Sequence, residues 1–434
     1  MIDIPSNNHR AIVFISGSAG ELDWVLPILD YLLKKDYKIN IIFLSRHARK
    51  SVKENRMCND FIYRENSKID VVLCGSYFFE KIERFVYLTY RVFLKLELDK
   101  KAIINKIYNL FDSMFKNLFF SYLPPHVLEF EKEKCLFISE YPSLRRPRDR
   151  WIRQKFEHSI FFYCPHSPHI YAEELERKYS EPDFIDLNKN YFLLLGHPGD
   201  YFVINDEKEL AAPNLEKVFI GHPKFSDNWL KYLREKAKDF RSISSKRDKI
   251  NILVLSRGFG SYLNEESHNN LVETTINVVH NKISKYNLFI KKHPREIPSH
   301  WDNILGSNTS IKIVNDHILQ LATKADFVIS FWGSGAMDCF SLGVPVIEYW
   351  NPNKHQKQQI FEKNTYTTIY RKLGIVTSAN DENELRKAID DLMKRNYKIG
   401  PHQLHPFYSE IMIRSNQWDR KIKKILSSHN LIGK

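Results

Sequence analysis

Two short segments in the second half of the sequence carry residues that could bind phosphate. The first is the turn Gly333-Ser334-Gly335, which follows an apolar run ending at Ser330 and precedes a helix-like pattern. A turn of small residues that opens a helix presents free backbone N–H groups and the positive end of the helix dipole, and such ends commonly bind anions. Taken alone, the same residues could equally form a plain tight connection.

The second segment is a basic loop that follows the apolar strand pattern LFIKK. It brings Lys291, Lys292, His293 and Arg295 to one place, where their N–H groups could donate to phosphate oxygens. Arg257 follows the earlier run INILVLS in the same way. Two such sites in successive strand–helix units favour a ligand that carries phosphate. The alternative for His293 is a loop histidine that only makes hydrogen bonds within the protein.

Candidates for acid–base chemistry lie in the first half. His166 and His169 follow the apolar run SIFFYC, and Glu140 follows the strand pattern that ends at Ser139. The unperturbed pKa of histidine lies near neutral pH, so either imidazole could act as a general base on a hydroxyl group. Glu140 could be a base or a nucleophile. The His-x-x-His spacing also occurs in metal sites, but Pro168 breaks the helix that would align the rings, so we expect no metal.

Three further carboxylates remain open between chemistry and structure. Asp338 falls about one turn into the helix predicted after Gly335, where it could reach a ribose hydroxyl or only stabilise the helix start. Glu21 and Asp23 open the first predicted helix. Carboxylates interact favourably with a helix N-terminus, and this explains the presence of the two residues equally well as a catalytic role would.

The elements that would position these residues alternate between strand and helix. Residues 11–46 read as a strand, a glycine turn, a helix and a second strand, and this alternation predicts parallel sheets. Further apolar strand patterns occur at 70–74, 135–139, 159–164, 201–205, 217–220, 250–256, 288–292, 311–314, 326–330 and 344–349. Helices are predicted at 228–238, 381–395 and 410–427, and residues 78–122 read as packed amphipathic helices, with a membrane-facing element as the alternative.

Length and composition limit the class of protein. A chain of 434 residues exceeds one ordinary core, so we expect two domains. The net charge of +13 favours an anionic partner, but no nucleic-acid recognition motif is evident, so we expect no nucleic acid. The five scattered cysteines indicate a reducing compartment. With no signal sequence and no apolar stretch of about 20 residues, we expect a cytoplasmic protein, or one peripheral on the inner face of the cell membrane.

The order of these segments resembles bacterial GT-B transferases of surface-polysaccharide and teichoic-acid synthesis. The resemblance covers residues 160–350 and rests on PHSPH, GHPKFSDNWL, INILVLSRG, IKKHPRE and ADFVISFWGSGAMDCFSLGVPVIEY. The most similar groups are CDP-glycerol glycerophosphotransferases and the capsule and lipopolysaccharide transferases that use CMP-linked keto sugars. Non-hydrolysing UDP-GlcNAc 2-epimerases share the C-terminal layout.

This resemblance implies an α/β protein with two Rossmann-like domains that face a cleft. The predicted domains are an acceptor-side domain at 1–215 with an insertion at 78–122, a donor-binding domain at 216–395, and closing helices at 396–434. His293 and the segment from Ser330 to Gly335 would hold the donor phosphate, and Asp338 would lie near the donor ribose. His166 would occupy the place of the catalytic histidine of the glycerophosphotransferases.

The sequence departs from the glycerophosphotransferases at two places. Pro165-His166-Ser167 stands where that family has Trp-His-Gly, and its aspartate–tyrosine–serine pattern is replaced by Phe331-Trp332 and the following Gly-Ser. Both departures favour sugar transfer. We therefore expect a metal-independent glycosyltransferase, without a cofactor, that moves a sugar from a CMP-, CDP- or UDP-linked donor to a surface polysaccharide or lipid-linked glycan. The alternatives are a CDP-glycerol glycerophosphotransferase, an epimerase-like enzyme, and a binding module without activity.

Overall fold

The structure is a computed structural model. It describes residues 9–64, 67–74, 81, 88, 102–140, 147–165, 175, 184–198, 200, 215–238, 248–259, 263–293, 296, 301–302, 310–351, 354, 367–400 and 403–432.

Seven parallel strands form the first sheet, in the order β3-β2-β1-β4-β5-β6-β7. They are β1 (Arg10–Ile15), β2 (Lys38–Phe43), β3 (Ile69–Leu73), β4 (Leu136–Ser139), β5 (Ile160–Tyr163), β6 (Tyr191–Leu195) and β7 (Glu216–Phe219). Most central strands are apolar at every position because helices cover both faces of a parallel sheet. In β1, for example, every residue after Arg10 is buried.

Six parallel strands form the second sheet, in the order β10-β9-β8-β11-β12-β13. They are β8 (Ile250–Leu255), β9 (Tyr286–Lys291), β10 (Ile311–Ile313), β11 (Phe327–Ser330), β12 (Val346–Tyr349) and β13 (Thr377–Ala379). The register pairs Leu255 of β8 with Lys291 of β9 on one side and with Ser330 of β11 on the other. The loops that follow these three strands therefore leave the sheet side by side.

Helices connect the strands and cover the sheets. Those that precede β8 are α1 (Ala19–Leu33), α2 (Arg46–Glu54), α3 (Arg56–Asn59), α4 (Ala102–Ser121), α5 (Pro125–Leu128), α6 (Pro147–Lys155) and α7 (Asp227–Lys238). Those that follow β8 are α8 (Glu265–Lys282), α9 (Ile318–Ala322), α10 (Gly335–Ser341), α11 (Ile369–Lys372), α12 (Glu382–Lys394), α13 (Pro406–Ser415) and α14 (Trp418–Ser428). Short helical turns occur at Asp60–Arg64, Glu129–Lys132 and Pro223–Phe225.

The apolar core is continuous between the two sheets. Val13 of β1 and Leu253 of β8 belong to the same buried cluster, which also contains Leu26 and Ala336. Alternate residues of the same strands face outward into separate clusters, for example Ile12 in the first sheet and Ile252 in the second. The two sheets are therefore packed against each other through one shared apolar layer.

The C-terminal helices return to the first sheet. The Tyr31 ring contacts the Trp418 ring edge-on at 5.6 Å, and the Tyr37 hydroxyl donates to the Leu431 carbonyl at 2.5 Å. Lys421 donates to the Phe219 carbonyl at 2.8 Å. The α/β class with two Rossmann-like parallel sheets and closing helices, predicted from the sequence, is confirmed.

Several elements differ from the sequence predictions. The strands β6 and β13 were not predicted, because a run rich in leucine and a three-residue polar edge strand lack the β-branched pattern that marks strands. The strand expected at 201–205 lies outside the described residues. The strand β7 (Glu216–Phe219) belongs to the first sheet, so a domain boundary at residue 216 separates it from the strand with which it pairs.

Only part of the predicted helical insertion at 78–122 is described. Its described helix, α4, exposes Leu110, Phe111 and Met114. Among the described residues, no helix is both long enough and apolar enough to cross a bilayer. All five cysteines are buried and free.

The return of α14 to the first sheet gives a stability prediction. Ile422 is fully buried in the shared core, so Ile422→Ala should lower the free energy of unfolding by about 2–5 kcal/mol. The neighbouring Lys423 is exposed, and Lys423→Ala should change it by less than about 0.5 kcal/mol. Urea unfolding followed by circular dichroism measures both. Equal effects of the two changes would contradict the packing described for this helix.

Candidate functional site

The order of the strands locates a crevice in each sheet. In the second sheet the chain passes from β8 to β9 on one side and continues with β11 on the other; in the first sheet β1 lies between β2 and β4. Ligands of open α/β sheets bind at such switch points, beyond the carboxyl ends of the strands. The residues that follow β8 and β11 are Arg257 and the turn before α10, and those that follow β1 and β4 include Ser16 and Glu140.

The turn after β11 is held by an arginine from the neighbouring strand loop. The Arg257 guanidinium lies 4.4 Å from the centre of the Trp332 ring, and its Nη1 donates to the Trp332 carbonyl at 3.4 Å. Trp332 has a φ of 63°, which is uncommon for a bulky residue and marks a strained turn. A Cβ placed on Gly333 would lie 3.9 Å from Arg257 Nη1. A guanidinium and the amides of the turn therefore share one location.

Two small residues shape the start of α10. Ser334 is exposed and makes no side-chain capping bond to the helix. A Cβ on Gly335 would lie 2.4 Å from Ile318 Cδ1 and 2.9 Å from Leu255 Cδ1. Glycine is thus required for α10 to pack closely against α9 and β8. Ser330 ends β11 with its hydroxyl buried and without a hydrogen-bond partner among the described residues.

A buried carboxylate organises the loop after β9. Glu296, only 2% exposed, accepts from the backbone N–H of His293 at 3.1 Å and from the Ser256 hydroxyl at 2.9 Å. Its Oε1 also lies 3.5 Å from His268 Nε2. Ser256 in turn accepts from the Trp301 indole at 2.8 Å. This network joins the loops after β8 and β9 and fixes the backbone of His293 at the sheet edge.

His293 and the β11 turn lie on the same edge of the second sheet. The strand β8 separates β9 from β11, so the two loops are about 10 Å apart across the sheet. That span suits a ligand larger than a single phosphate. The structure therefore places Arg257, His293 and the segment Ser330–Gly335 along the same edge of the second sheet, and their contact with a donor phosphate stays a prediction.

The lysines of the basic loop have partners within their own domain. Lys292 forms an ion pair with Asp302 at 3.0 Å, so a donor phosphate would have to compete with that carboxylate. Lys291 donates to the Asn315 carbonyl at 2.9 Å, and burial lowers the pKa of its ammonium group to about 8. Arg295 lies outside the described residues, as do His166 and His169.

Asp338 lies in a cluster of buried charges between the two sheets. Lys224, which follows β7, reaches Asp338 Oδ1 at 2.7 Å and Asp23 Oδ2 at 3.2 Å. The His317 imidazole accepts from the Leu319 N–H through Nδ1 at 3.2 Å, so Nε2 carries the proton that faces Asp23 Oδ1 at 2.5 Å. The contact predicted between Asp338 and a donor ribose remains a prediction.

The members of this cluster shift one another's pKa values in opposite directions. Burial alone would raise the pKa of Asp23, but His317 and Lys224 hold it well below its usual range. Burial raises the pKa of Asp338, and Lys224 only partly opposes this. Burial would lower the pKa of Lys224, but Asp23 and Asp338 together raise it above the usual value. Asp23 is therefore the firmly ionised carboxylate, and Asp338 is the one that protonates first.

The carboxylates at the first sheet have different roles. Glu21 accepts from the Ser16 N–H at 2.7 Å, and a Cβ on Gly17 would lie 2.3 Å from Glu21 Oε1. The Glu21 carboxylate therefore stabilises the turn between β1 and α1. Glu140 follows β4 at the switch point and is 6% exposed. Its position beside the end of β1 keeps it a candidate for chemistry on a second substrate.

A support for the β11 turn was not foreseen from the sequence. The buried Glu348 of β12 accepts from Arg371 Nε at 2.7 Å, and Arg371 Nη2 donates to the Trp350 carbonyl at 2.6 Å. The Trp350 ring stacks on Trp332 at 5.5 Å. Sequence reasoning also missed Glu296, Lys224 and His317. Lys224 and Asp23 are 201 residues apart along the chain, so no local pattern joins them.

Comparison with family models and with curated protein sequences gives no match. Solved structures match over nearly the whole chain. A UDP-GlcNAc 2-epimerase from Methanocaldococcus jannaschii, in complex with UDP-GlcNAc and UDP, is 14% identical with a TM-score of 0.53, covering 96% of this chain and 99% of that one. The Neisseria meningitidis UDP-GlcNAc 2-epimerase bound to UDP-GlcNAc is 11% identical with a TM-score of 0.53, covering 96% and 99%.

A structure of the wall teichoic acid polymerase TagF with CDPG resembles this chain about as much as the two epimerases do. It is 11% identical with a TM-score of 0.52, covering 97% of this chain and 88% of that one. At such low identities these matches establish the fold, which is the two-domain GT-B arrangement of two parallel sheets.

The buried charge cluster predicts the effect of removing its cation. Lys224→Met removes the cation that Asp23 and Asp338 share; Asp23 keeps its contact with His317, but Asp338 loses its ion pair. The change should lower the free energy of unfolding by about 3–5 kcal/mol at neutral pH. Without Lys224, burial raises the pKa of Asp338 further. A carboxyl group whose pKa rises on folding destabilises the fold as it ionises, so the deficit should shrink as the pH falls from 7 toward 5.

Urea unfolding at both pH values measures this, and Lys224→Met/Asp338→Asn is the matched control. The double change removes one cation and one anion together, so it should recover part of the stability lost in the single variant. A deficit that is independent of pH and is not relieved in the double variant would exclude the proposed charge balance.

The two glycines of the β11 turn should respond differently to the same change. Gly335→Ala forces a Cβ into Ile318 and Leu255, and should cost about 1–3 kcal/mol of stability. Gly333→Ala meets nothing nearer than 3.9 Å, so stability should change by less than about 1 kcal/mol. Its methyl group would instead occupy space beside Arg257, where the sequence predicts that a phosphate binds. Thermal unfolding with and without nucleotide separates a loss of stability from a loss of binding.

Proposed function

We propose that the chain is an enzyme that uses a nucleotide-activated donor, and that it transfers the sugar of a CMP-, CDP- or UDP-linked donor to a surface polysaccharide or lipid-linked glycan. The observation that carries this proposal is the position of Arg257. Its guanidinium lies against the strained turn after β11, at the switch point where α/β sheets bind their ligands.

The second sheet would bind the donor. Arg257 and the amides of Gly333 and Ser334 would contact the donor phosphate, and His293 would contact it from the neighbouring loop. As the bond between sugar and phosphate breaks, negative charge grows on the departing phosphate. N–H groups and cations that the protein already holds in place stabilise that charge without reorganising. This electrostatic stabilisation is usually the largest contribution to the rate of such a reaction.

The first sheet would bind the acceptor. Glu140, or His166 or His169 from the following strand loop, would take the proton from an acceptor hydroxyl. The acceptor oxygen would then bond to the anomeric carbon, and the nucleotide would leave with the electrons of the broken carbon–oxygen bond. In this proposal the fixed cations stabilise the departing phosphate, so the reaction needs no metal.

The similar structures support a nucleotide-activated donor, because their ligands are UDP-GlcNAc, UDP and CDPG. Epimerases and a polymerase share the fold, so sugar-nucleotide epimerisation and glycerol phosphate transfer are the competing functions. The residues around His166, which depart from the glycerophosphotransferase motif, favour sugar transfer. The proposal places the enzyme in the cytoplasm, or at the inner face of the cell membrane where a lipid-linked acceptor would lie.

A nucleotide panel tests the donor site. CMP, CDP, UDP and GDP are added singly, and the matching nucleotide should stabilise the fold by about 2.7 kcal/mol at a hundred times its Kd. Arg257→Gln should abolish this shift. Arg386→Gln is the control, since that arginine pairs with Glu382 on the outer helix α12, and it should retain the shift. A shift that survives in Arg257→Gln would refute the assigned phosphate site.

Product analysis decides between the competing functions. The sugar nucleotide that matches the stabilising base is incubated with and without membrane glycan extract, and products are followed by NMR. Sugar transfer that requires the extract supports the proposal. An epimer formed without extract would replace it with the epimerase function. Binding without turnover under either condition would leave a module without activity.

A further inference from the structure

The helix α4 exposes a row of apolar side chains. Leu110 is 72% exposed, Met114 52% and Phe111 49%. Met114 follows Leu110 by four residues and Phe111 by three, and these spacings place side chains beside each other on a helix. Lys106, one turn before Leu110, is exposed on the same side. These four residues form the α4 face. Apolar residues gathered in one exposed patch, unlike single scattered ones, indicate an interaction surface.

The opposite side of α4 packs against the protein. Phe119 and Phe120 are buried, and the Asp112 carboxylate accepts from the Arg150 guanidinium at 2.5 Å and from the Trp151 indole at 3.1 Å. Asp112 is the one acidic residue in the sequence of α4. Its carboxylate is therefore turned inward to α6, and the α4 face combines apolar side chains with a lysine.

The helices α4 and α6 run in the same direction. Asp112 of α4 contacts Arg150 of α6, and four residues later Lys116 donates to the Gln154 side chain at 3.1 Å. Four residues correspond to about 6 Å along each helix axis. Since both helices advance together from one contact to the next, they lie side by side and parallel.

The N-terminal end of α6 lies at the carboxyl edge of the first sheet. Arg148 Nη1 donates at 3.5 Å to the carbonyl of Leu44, which directly follows β2. Along the chain, α6 also comes after β4 and Glu140. Because α4 runs parallel to α6, the part of α4 that contains Leu110 lies toward this same edge. The α4 face is therefore beside the crevice where Glu140 is proposed to act on an acceptor.

We propose that the α4 face docks the protein onto an anionic membrane surface. Leu110, Phe111 and Met114 would enter the boundary between headgroups and acyl chains, and Lys106 would lie among the anionic headgroups. Helices that bind in this way lie in the plane of the membrane, with their apolar side about 5–10 Å deep. The docking itself depends only on the α4 face. That it presents the crevice to a lipid-linked acceptor rests on the proposed function.

Two observations favour a membrane over a second copy of this chain. A stable protein interface involves about 20–30 residues on each side, whereas the α4 face has four. The net charge of +13 attracts anionic lipid headgroups, and it makes two copies of the chain repel each other. A lipid surface needs no matching shape, so a few apolar side chains together with positive charge suffice to bind it.

The test uses the full chain and two kinds of vesicle. One contains equal parts of phosphatidylcholine and phosphatidylglycerol, and the other contains phosphatidylcholine alone. Co-sedimentation at several salt concentrations gives the affinity for each. The chain should bind the anionic vesicles more tightly, and this preference should shrink with added salt because salt screens exposed charges. Equal affinity for both vesicles at low salt would contradict the anionic surface.

The variant Leu110→Ser/Met114→Ser should weaken binding to the anionic vesicles about tenfold or more, since two apolar side chains are no longer withdrawn from water. Its matched control is Met393→Ser/Ile413→Ser, which changes two residues of α12 and α13 that are 41% and 60% exposed. The control should bind like the unchanged protein. Melting temperatures verify that both variants fold. Equal vesicle affinities of the two variants would overturn the inference.

The charge of the α4 face is tested separately. Lys106→Gln should weaken binding to the anionic vesicles about fivefold, because a lysine near an anionic surface contributes about 1 kcal/mol. Binding to phosphatidylcholine alone should not change. Light scattering without vesicles examines the competing occupant. The unchanged protein and Leu110→Ser/Met114→Ser should have the same mass, and a lower mass in the variant would assign the α4 face to a second copy.

The nucleotide-induced stability shift is measured on the same samples. Leu110→Ser/Met114→Ser should retain it, because α4 packs on the first sheet and the donor is assigned to the second. A missing shift in the unchanged protein counts against the proposed donor function. A normal shift together with vesicle binding that does not depend on the α4 face counts against the membrane surface alone.

Discussion

The arrangement of the two domains depends on one buried cation. Lys224 is 4% exposed and lies between Asp23 of the first domain and Asp338 of the second. Buried charges are stable only when they are paired, and removing one partner leaves the others uncompensated. Since the three groups come from α1, the loop after β7 and α10, their pairing fixes how the carboxyl edges of the two sheets face each other.

The turn between β11 and α10 depends on the same contacts for its position. Asp338 anchors α10 across the interface, and Gly335 lets that helix pack against β8 and α9. The turn that precedes α10 is then pressed between Arg257 and the Trp350 ring on which Trp332 stacks. The strained backbone of Trp332 is tolerated because this surrounding packing determines it. A rigid turn is what an anion site needs if its amides are to act without reorganisation.

Local sequence patterns predicted the strands and the turn, but not the contacts between domains. Strands covered on both faces appear as continuous apolar runs, so β1, β8 and β11 were readable, whereas the leucine-rich β6 was not. The turn at Gly333 and the loop at His293 follow their strands directly, which made them visible. Asp23 and His317 are 294 residues apart along the chain. Only the folded topology brings such residues together. From the sequence alone, Asp23 could equally be interpreted as a carboxylate that stabilises the start of a helix.

Net charge predicted an anionic partner without locating the surface that meets it. The helix α6 is strongly cationic, yet its arginines are occupied by Asp112, the Leu44 carbonyl and an aromatic ring. Arg257, by contrast, lies against the turn after β11, at the carboxyl edge of the second sheet. The number of cations in a segment therefore says less about where an anion could bind than the position of a single cation relative to the ends of the strands.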